Sequence, residues 1–134
     1  IKSSVLTDAN AHLTIIATTS SAPSGKMAAI KKQGVEVWIV KKERNGRVSI
    51  KDLLRKLGKR EIMSVLVEGG SEIITSLLKA GLVDKMIIPI APKIVGKGLD
   101  AIGDLNINKI NKAIKFSSFK TMKKGDDIIF EGTM

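Results

Sequence analysis

The chain contains no cysteine and a single histidine, His12, among its 134 residues. Without cysteine it forms neither disulfides nor thiolate metal sites. A lone histidine also argues against a histidine-based metal centre and against a Ser-His-Asp triad, because both need an imidazole placed among further partners. We therefore predict no metal site.

Aromatic residues make up only 3% of the chain, and tyrosine is absent. A platform that stacks the bases of single-stranded nucleic acid needs more aromatic side chains than this. No apolar run reaches the roughly 18–20 residues of a membrane span, and no apolar signal-peptide core is visible near the N-terminus. From these absences we predict that the chain binds neither nucleic acid nor a membrane.

Positive charge is in excess, with 23 Lys and Arg against 13 Asp and Glu and a formal net charge of +10. This excess attracts phosphorylated small molecules or polyanions. A solvated lysine-rich surface, as in heat-adapted proteins, explains the same composition. The hydrophobic fraction of 43% predicts a packed core, and the length predicts one domain.

Short apolar runs alternate with amphipathic segments, which is typical of an α/β fold with a largely parallel sheet flanked by helices. A Lys-Lys-Gly-Asp turn near the end adds an antiparallel hairpin and makes the sheet mixed. The predicted strands cover residues 13–18, 35–40, 62–67, 86–91, 113–122 and 127–132, and the predicted helices cover residues 26–33, 49–58 and 71–80.

The second predicted helix begins at Ser49 and ends at Gly58. Asp52 follows Ser49 by three residues, which predicts an approximate capping box. Three leucines at helical spacing form its buried stripe.

Glu68, Gly69 and Gly70 join the strand predicted at 62–67 to the helix predicted at 71–80. Glycine lets the backbone approach a ligand closely, and a helix N-terminus favours an anion. Glu68 stands at the carboxyl end of its strand, where α/β sheets place ligand-contacting side chains. The motif is neither a full G-x-G-x-x-G nor a P-loop, so a tight turn with a solvated carboxylate remains an alternative.

Thr18 and Thr19 end the first predicted strand at the same edge of the sheet. Their hydroxyls either contact a cofactor phosphate or are ordinary loop hydroxyls.

Several blocks of sequence occur in an order typical of one family. They are TIIATT at 14–19, GVEVW at 34–38, VSIKDLLRKLGKREIMSVLVEGG at 48–70, SLLKAGLVDK at 76–85, IAPKIVG at 90–96 and GDDIIFEG at 125–132. With these blocks the chain resembles the C-terminal reductase domain of the riboflavin-biosynthesis deaminase/reductase family, which includes stand-alone archaeal and fungal pyrimidine reductases. The resemblance is weakest over residues 1–12 and 99–112, and it implies a dihydrofolate-reductase-like fold.

The resemblance implies an NADPH-dependent reduction of the ribosyl chain of a ribosylaminopyrimidine 5′-phosphate to the ribityl chain, with either the deaminated or the diamino form as substrate. It implies that Glu68 contacts the substrate, and it implies no acid–base pair, so no catalytic residue is assigned. The cofactor-binding residues that it implies are Thr18, Thr19, Gly69, Gly70, Ser71, Glu72, Ile73, Ile74, Thr75 and Ser76.

One part of the family pattern does not occur in these residues, namely an earlier T-x-D-G-like strand with arginines that contact the substrate phosphate. We therefore expect residues 1–134 to form a single reductase domain that lacks its N-terminal segment. The resemblance further implies a cytoplasmic homodimer.

Two alternatives stay open. A reductase of the same fold could act on another substrate, because a fold does not fix function. A basic α/β module could bind nucleic acid, which would need a clustered basic face, whereas the lysines here are spread along the chain.

Overall fold

A computed structural model describes residues 3–134. The chain divides into two compact units, the first ending at Val65 and the second running from Leu66 to Met134. No helix within residues 3–134 is long and apolar enough to cross a membrane.

The first unit is built around a parallel strand pair joined by a helix. Strands β1 (Ile15–Thr18) and β2 (Glu36–Ile39) pair in parallel in the register from Ile15↔Glu36 to Thr18↔Ile39, as the alternation of segments predicts for a βαβ unit. Its elements are α1 (Ser4–Thr7), a 3₁₀ turn (Ala11–Leu13), β1 (Ile15–Thr18), α2 (Ser24–Lys32), β2 (Glu36–Ile39) and α3 (Ile50–Gly58). The buried cluster of this unit consists of Leu6, Ala11, Ile30 and Val35, against which Ile16 and Val37 pack.

Helix α3 ends at Gly58 as predicted but begins one residue later than predicted, at Ile50, and its start is held differently from the prediction. Ser49 makes no capping bond through its side chain, so the capping box is wrong. The buried carboxylate of Asp52 instead accepts the N–H of Lys41 at 3.0 Å, and the N–H of Ser49 donates to the carbonyl of Lys41 at 2.8 Å. Helix α3 is thus tied to the chain that leaves β2.

The second unit contains a helix and a three-stranded antiparallel sheet. The strands lie in the order β3 (Lys85–Ile90), β5 (Asp127–Thr133) and β4 (Ser118–Lys124). Strands β4 and β5 form the predicted terminal hairpin, whose turn contains Gly125 with a φ of +61°. The elements are α4 (Ser71–Lys79), β3 (Lys85–Ile90), a 3₁₀ turn (Ile110–Lys112), β4 (Ser118–Lys124) and β5 (Asp127–Thr133). The α/β class with a parallel and an antiparallel part is therefore confirmed.

The rings of three phenylalanines meet on the antiparallel sheet of the second unit. Phe130 stacks against Phe119 with 5.6 Å between ring centres and meets the edge of Phe116 at 5.1 Å. Aromatic pairs of this geometry stabilise beyond the area that they bury.

The strand predicted over residues 62–67 is wrong. These residues pair with no strand among those described, and Met63 and Leu66 are 95% and 79% exposed. An apolar run satisfies the sequence criterion for a strand, but a strand exists only when a neighbour completes its hydrogen-bond ladder. The strand predicted at 113–122 is shorter, because it starts at Ser118.

Candidate functional site

The predicted site residues fall into two groups, one in each unit. The first group lies at the carboxyl end of β1, and the second at the turn that leads into α4. We describe each group within its own unit.

Gly69 and Gly70 form an open turn at the start of α4. Gly70 is the N-cap residue with a φ of +75° and a ψ of 134°, a conformation that residues with a Cβ rarely adopt. A Cβ built on either glycine meets no atom within 4 Å, so one side of the turn is accessible to a ligand.

The backbone of this turn presents donors to an anion. The N–H groups of Ile73 and Ile74 donate to the carbonyl of Gly70 at 3.2 and 3.3 Å, so the helical hydrogen bonds begin there. The first N–H groups of a helix precede this point and have no carbonyl of their own helix to reach. An open glycine turn followed by such groups fits a phosphate of a dinucleotide.

The side chains around the turn differ in exposure. Glu68, Glu72 and Ile73 are exposed, whereas Ser71, Ile74 and Ser76 are half-buried. Glu68 is therefore exposed to solvent directly beside the glycine turn.

The hydroxyl of Thr75 takes part in two hydrogen bonds within the second unit. It is 9% exposed, its hydroxyl donates to the carbonyl of Ser71 at 2.5 Å, and the same oxygen accepts the N–H of Gly103 at 2.7 Å. Thr75 thus ties α4 to the irregular segment between β3 and β4. Its hydroxyl points into the second unit and is already engaged.

The group at the end of β1 is a hydroxyl-rich loop. Thr18 is half-buried, and its carbonyl accepts the N–H of Val40 at 2.8 Å. Thr19 is 8% exposed, and its hydroxyl accepts the N–H of Ser21 at 3.3 Å. Thr19 therefore shapes the loop, and the exposed residues of the loop include Ser20 and Ser21.

Lys42, in the chain that leaves β2, contacts this loop. Its ammonium donates to the hydroxyl of Ser21 at 3.1 Å, which links the chain leaving β1 with the chain leaving β2. Neither residue was predicted as a site residue. The available signal was the density of positive charge over residues 41–47, which contain four basic residues, Lys41, Lys42, Arg44 and Arg47, and one acidic residue, Glu43.

No group of three or more His, Asp and Glu side chains that could hold a metal ion lies together within residues 3–134. The group in the first unit consists of hydroxyls and a lysine, and the group in the second unit consists of backbone donors, hydroxyls and an exposed carboxylate.

With a βαβ unit, an antiparallel hairpin and an open glycine turn at a helix start, the chain is an α/β protein. Residues 2–130 match the family described as the RibD C-terminal domain. The chain belongs to this family, and the resemblance found from its sequence blocks is confirmed.

Curated relatives agree with this assignment. The chain is 39% identical over 125 residues to the riboflavin biosynthesis protein RibD of Actinobacillus pleuropneumoniae, which covers 92% of the chain and 33% of the relative. It is 34% identical over 124 residues to the 2,5-diamino-6-ribosylamino-4(3H)-pyrimidinone 5′-phosphate reductase of Methanothermobacter thermautotrophicus, which covers 90% of the chain and 55% of the relative. The chain thus spans about a third of the first protein and about half of the second.

Solved structures confirm the fold. Acinetobacter baumannii RibD superposes with a TM-score of 0.69 at 20% identity, covering 89% of this chain and 36% of that one. The Saccharomyces cerevisiae riboflavin biosynthesis reductase Rib7 superposes with a TM-score of 0.58 at 21% identity, covering 89% and 67%. The expected dihydrofolate-reductase-like architecture is therefore confirmed.

Proposed function

We propose that this chain is the reductase part of an NADPH-dependent enzyme of riboflavin biosynthesis. It reduces the ribosyl chain of a ribosylaminopyrimidine 5′-phosphate to the ribityl chain. The observation that carries this proposal is the open Gly69–Gly70 turn at the start of α4, in a chain of the RibD C-terminal domain family.

The substrate is the diaminopyrimidinone or the uracil form of this phosphate. The names of the relatives support both, since the protein from Methanothermobacter thermautotrophicus is named for the first. A Buchnera aphidicola protein, 32% identical over 112 residues, is named a 5-amino-6-(5-phosphoribosylamino)uracil reductase. We further propose that the enzyme works as a homodimer in the cytoplasm.

In this proposal the chain binds and orients while the cofactor supplies the hydride. The backbone of Gly69 and Gly70 and the start of α4 hold the phosphates of the dinucleotide. Exposed Glu68 accepts hydrogen bonds from hydroxyls of the substrate. No side chain is assigned to acid–base catalysis.

Titration with NADPH tests the cofactor assignment. NADPH at 100 times its Kd stabilises the chain by about 2.7 kcal/mol, which a thermal-shift assay detects. We expect Gly70→Ala to weaken NADPH binding, because a Cβ at a φ of +75° forces the turn to rearrange. A folded wild-type chain that NADPH does not stabilise would contradict the proposal, and stabilisation by an oligonucleotide instead would favour the basic binding module.

Gly81→Ala is the matched control for this variant. Gly81 lies just after the other end of α4, has a φ of +61°, and likewise has no atom within 4 Å of a built Cβ. Both substitutions strain a left-handed backbone beside the same helix. We expect both to lower stability and only Gly70→Ala to weaken NADPH binding.

Turnover tests the role of Glu68. With a ribosylaminopyrimidine 5′-phosphate present, the loss of NADPH absorbance reports the reduction. We expect Glu68→Gln to raise KM for this substrate and to leave the Kd of NADPH unchanged, because the carboxylate is assigned to the substrate. If Glu68→Gln weakens the binding of NADPH as much as it weakens that of the substrate, Glu68 belongs to the cofactor site instead.

A further inference from the structure

The chain leaving β2 forms a short hairpin turn over residues 43–47, which we call the Asn-Gly turn. The N–H of Glu43 donates to the carbonyl of Arg47 at 2.8 Å, and Lys42 forms an antiparallel bridge with Val48 next to this bond. Only three residues connect the two ends of the closing bond. The bond therefore requires a defined length of main chain between Glu43 and Arg47.

The Asn-Gly turn contains the one place in the sequence where asparagine precedes glycine, Asn45-Gly46. An asparagine loses its side-chain amide when the backbone nitrogen of the next residue attacks its Cγ. Glycine hinders this attack least, because it has no Cβ, and Asn45 is exposed to water. The dipeptide is therefore the asparagine site most prone to deamidation. The asparagines that precede larger residues are Asn10, Asn106, Asn108 and Asn111.

Deamidation of this dipeptide takes two steps and needs only water. The nitrogen of Gly46 loses its proton and attacks Cγ of Asn45, a five-membered imide closes, and the side-chain nitrogen leaves as ammonia with that proton. Water then adds to one of the two imide carbonyls and breaks its C–N bond. Opening at Cγ gives aspartate, and opening at the main-chain carbonyl gives isoaspartate, in which the chain runs through Cβ.

Both reacting groups are engaged while the turn is closed. The N–H of Gly46 donates to the carbonyl of Glu43 at 2.9 Å, so the attacking nitrogen retains its proton. Oδ1 of Asn45 accepts the N–H of Arg47 at 3.0 Å, as asparagine side chains do in turns. Gly46 has a φ of +84°, which glycine adopts at little cost. The turn therefore closes without backbone strain at this residue.

We propose that Asn45 is a deamidation site which the closed Asn-Gly turn protects, so that it reacts only when the turn opens. Isoaspartate adds one carbon to the main chain, and the connection no longer fits the bond between Glu43 and Arg47. The reaction thus prevents the turn from closing again, and it adds a negative charge to a segment with four basic residues, 41–47. The inference concerns the first unit alone and does not depend on the proposed function.

Ageing of the 134-residue chain at mildly alkaline pH tests the protection. Mass spectrometry of the chymotryptic peptide that contains Asn45 measures the loss of the amide, and chromatographic retention separates aspartate from isoaspartate. We expect deamidation in the folded chain to be at least about tenfold slower than in the chain unfolded in urea, because only the open population reacts.

Glu43→Pro opens the turn without changing the dipeptide, because proline has no N–H to donate to the carbonyl of Arg47. Glu43→Ala is the matched control, since it removes the same side chain and retains the N–H. We expect Glu43→Pro to deamidate about threefold to tenfold faster than the wild type, as loss of one hydrogen bond of the turn allows. Glu43→Ala should react at the wild-type rate, and circular dichroism checks that both variants are folded.

Hydrogen exchange at Gly46 in the wild type provides a second measurement that needs no variant. Exchange and deamidation begin with the same loss of the amide proton, so both should be slowed to a similar extent. Exchange at the rate of the unfolded chain would overturn the inference, and so would equal deamidation of the folded and unfolded chains. Equal rates for folded Glu43→Pro and Glu43→Ala would overturn it as well, because the closing bond would then give no protection.

Discussion

The guanidinium of Arg60 lies over the indole ring of Trp38, with 5.0 Å from Cζ to the ring centre. The same guanidinium pairs with the carboxylate of Glu36, which also accepts the indole N–H at 2.7 Å. Glu36 and Trp38 belong to β2, whereas Arg60 lies two residues beyond the end of α3. This three-residue cluster therefore holds the end of α3 near β2 within the first unit.

Replacing Arg60 tests this cluster. We expect Arg60→Ala to lower the free energy of unfolding by about 0.5–1 kcal/mol through loss of the ring contact, and to change the fluorescence of Trp38, the only tryptophan. Urea unfolding followed by that fluorescence measures both effects. Lys59→Ala, at the neighbouring exposed position, is the control, and equal midpoints for the two variants would show that the cluster contributes nothing.

The carboxyl of Asp52 makes stability depend on pH. The N–H of Lys41 donates to it and, as the largest cause, holds its pKa below the usual value. The folded chain therefore binds fewer protons here than the unfolded chain, so this contribution is present at neutral pH and is lost as the pH falls below about 3.9 and through the folded pKa. Asp52→Asn is expected to be less stable than the wild type at neutral pH, with a difference that shrinks on acidification.

Urea midpoints between about pH 7 and about pH 3 check this prediction. Hydrogen bonds from Trp38 and Lys85 also lower the pKa values of Glu36 and Glu131, respectively. These two groups contribute equally to the wild type and to the variant, so the difference between the two urea midpoints reports on Asp52. Asp126→Asn, in the exposed hairpin turn, is the control. A pH-independent difference for Asp52→Asn would contradict the assigned cause.

The features predicted correctly from sequence depend on neighbours in the chain. Helix α3 ends at Gly58 as predicted, because its spaced leucines and terminal glycine are local signals. The glycine turn before α4 was also predictable, because glycine readily adopts a positive φ such as that of Gly70.

The features that sequence reasoning missed depend on distant partners. The carboxylate of Asp52 accepts the N–H of Lys41, which is 11 positions away in sequence. The predicted capping box would have paired Asp52 with a residue only three positions away. Residues 62–67 have the composition of a strand, but they pair with no other strand in the part of the chain that the structure describes. The contact of Lys42 with Ser21 spans 21 positions, so only the folded βαβ unit reveals it.

Thr75 provides a test of how the irregular segment before β4 is held. Thr75→Val keeps the shape of the side chain but removes the oxygen that accepts the N–H of Gly103. We expect a loss of about 1–3 kcal/mol in the free energy of unfolding, because that N–H loses its partner. Ser76→Ala is the control, since the Ser76 hydroxyl donates within its own helix, to the carbonyl of Glu72. Hydrogen exchange at Gly103 should accelerate in Thr75→Val alone, and unchanged exchange would refute the link.

Gly132 lies directly against the ring of Phe116. A Cβ built on Gly132 would stand 2.5 Å from Cδ1 of Phe116 and 2.9 Å from its Cγ, closer than side chains pack. The ring has little room to move away, because it already meets Phe130 edge to face. We expect Gly132→Ala to cost about 1–3 kcal/mol through overpacking.

A double-mutant cycle identifies the ring as the cause of this cost. Phe116→Ala removes the obstacle, so adding Gly132→Ala in that background should cost less than it does in the wild type. Gly98→Ala is the control, because a Cβ there meets no atom within 4 Å, and its urea midpoint should match that of the wild type. If Gly132→Ala costs as much without the ring as with it, the loss comes from the strand backbone and not from the contact with Phe116.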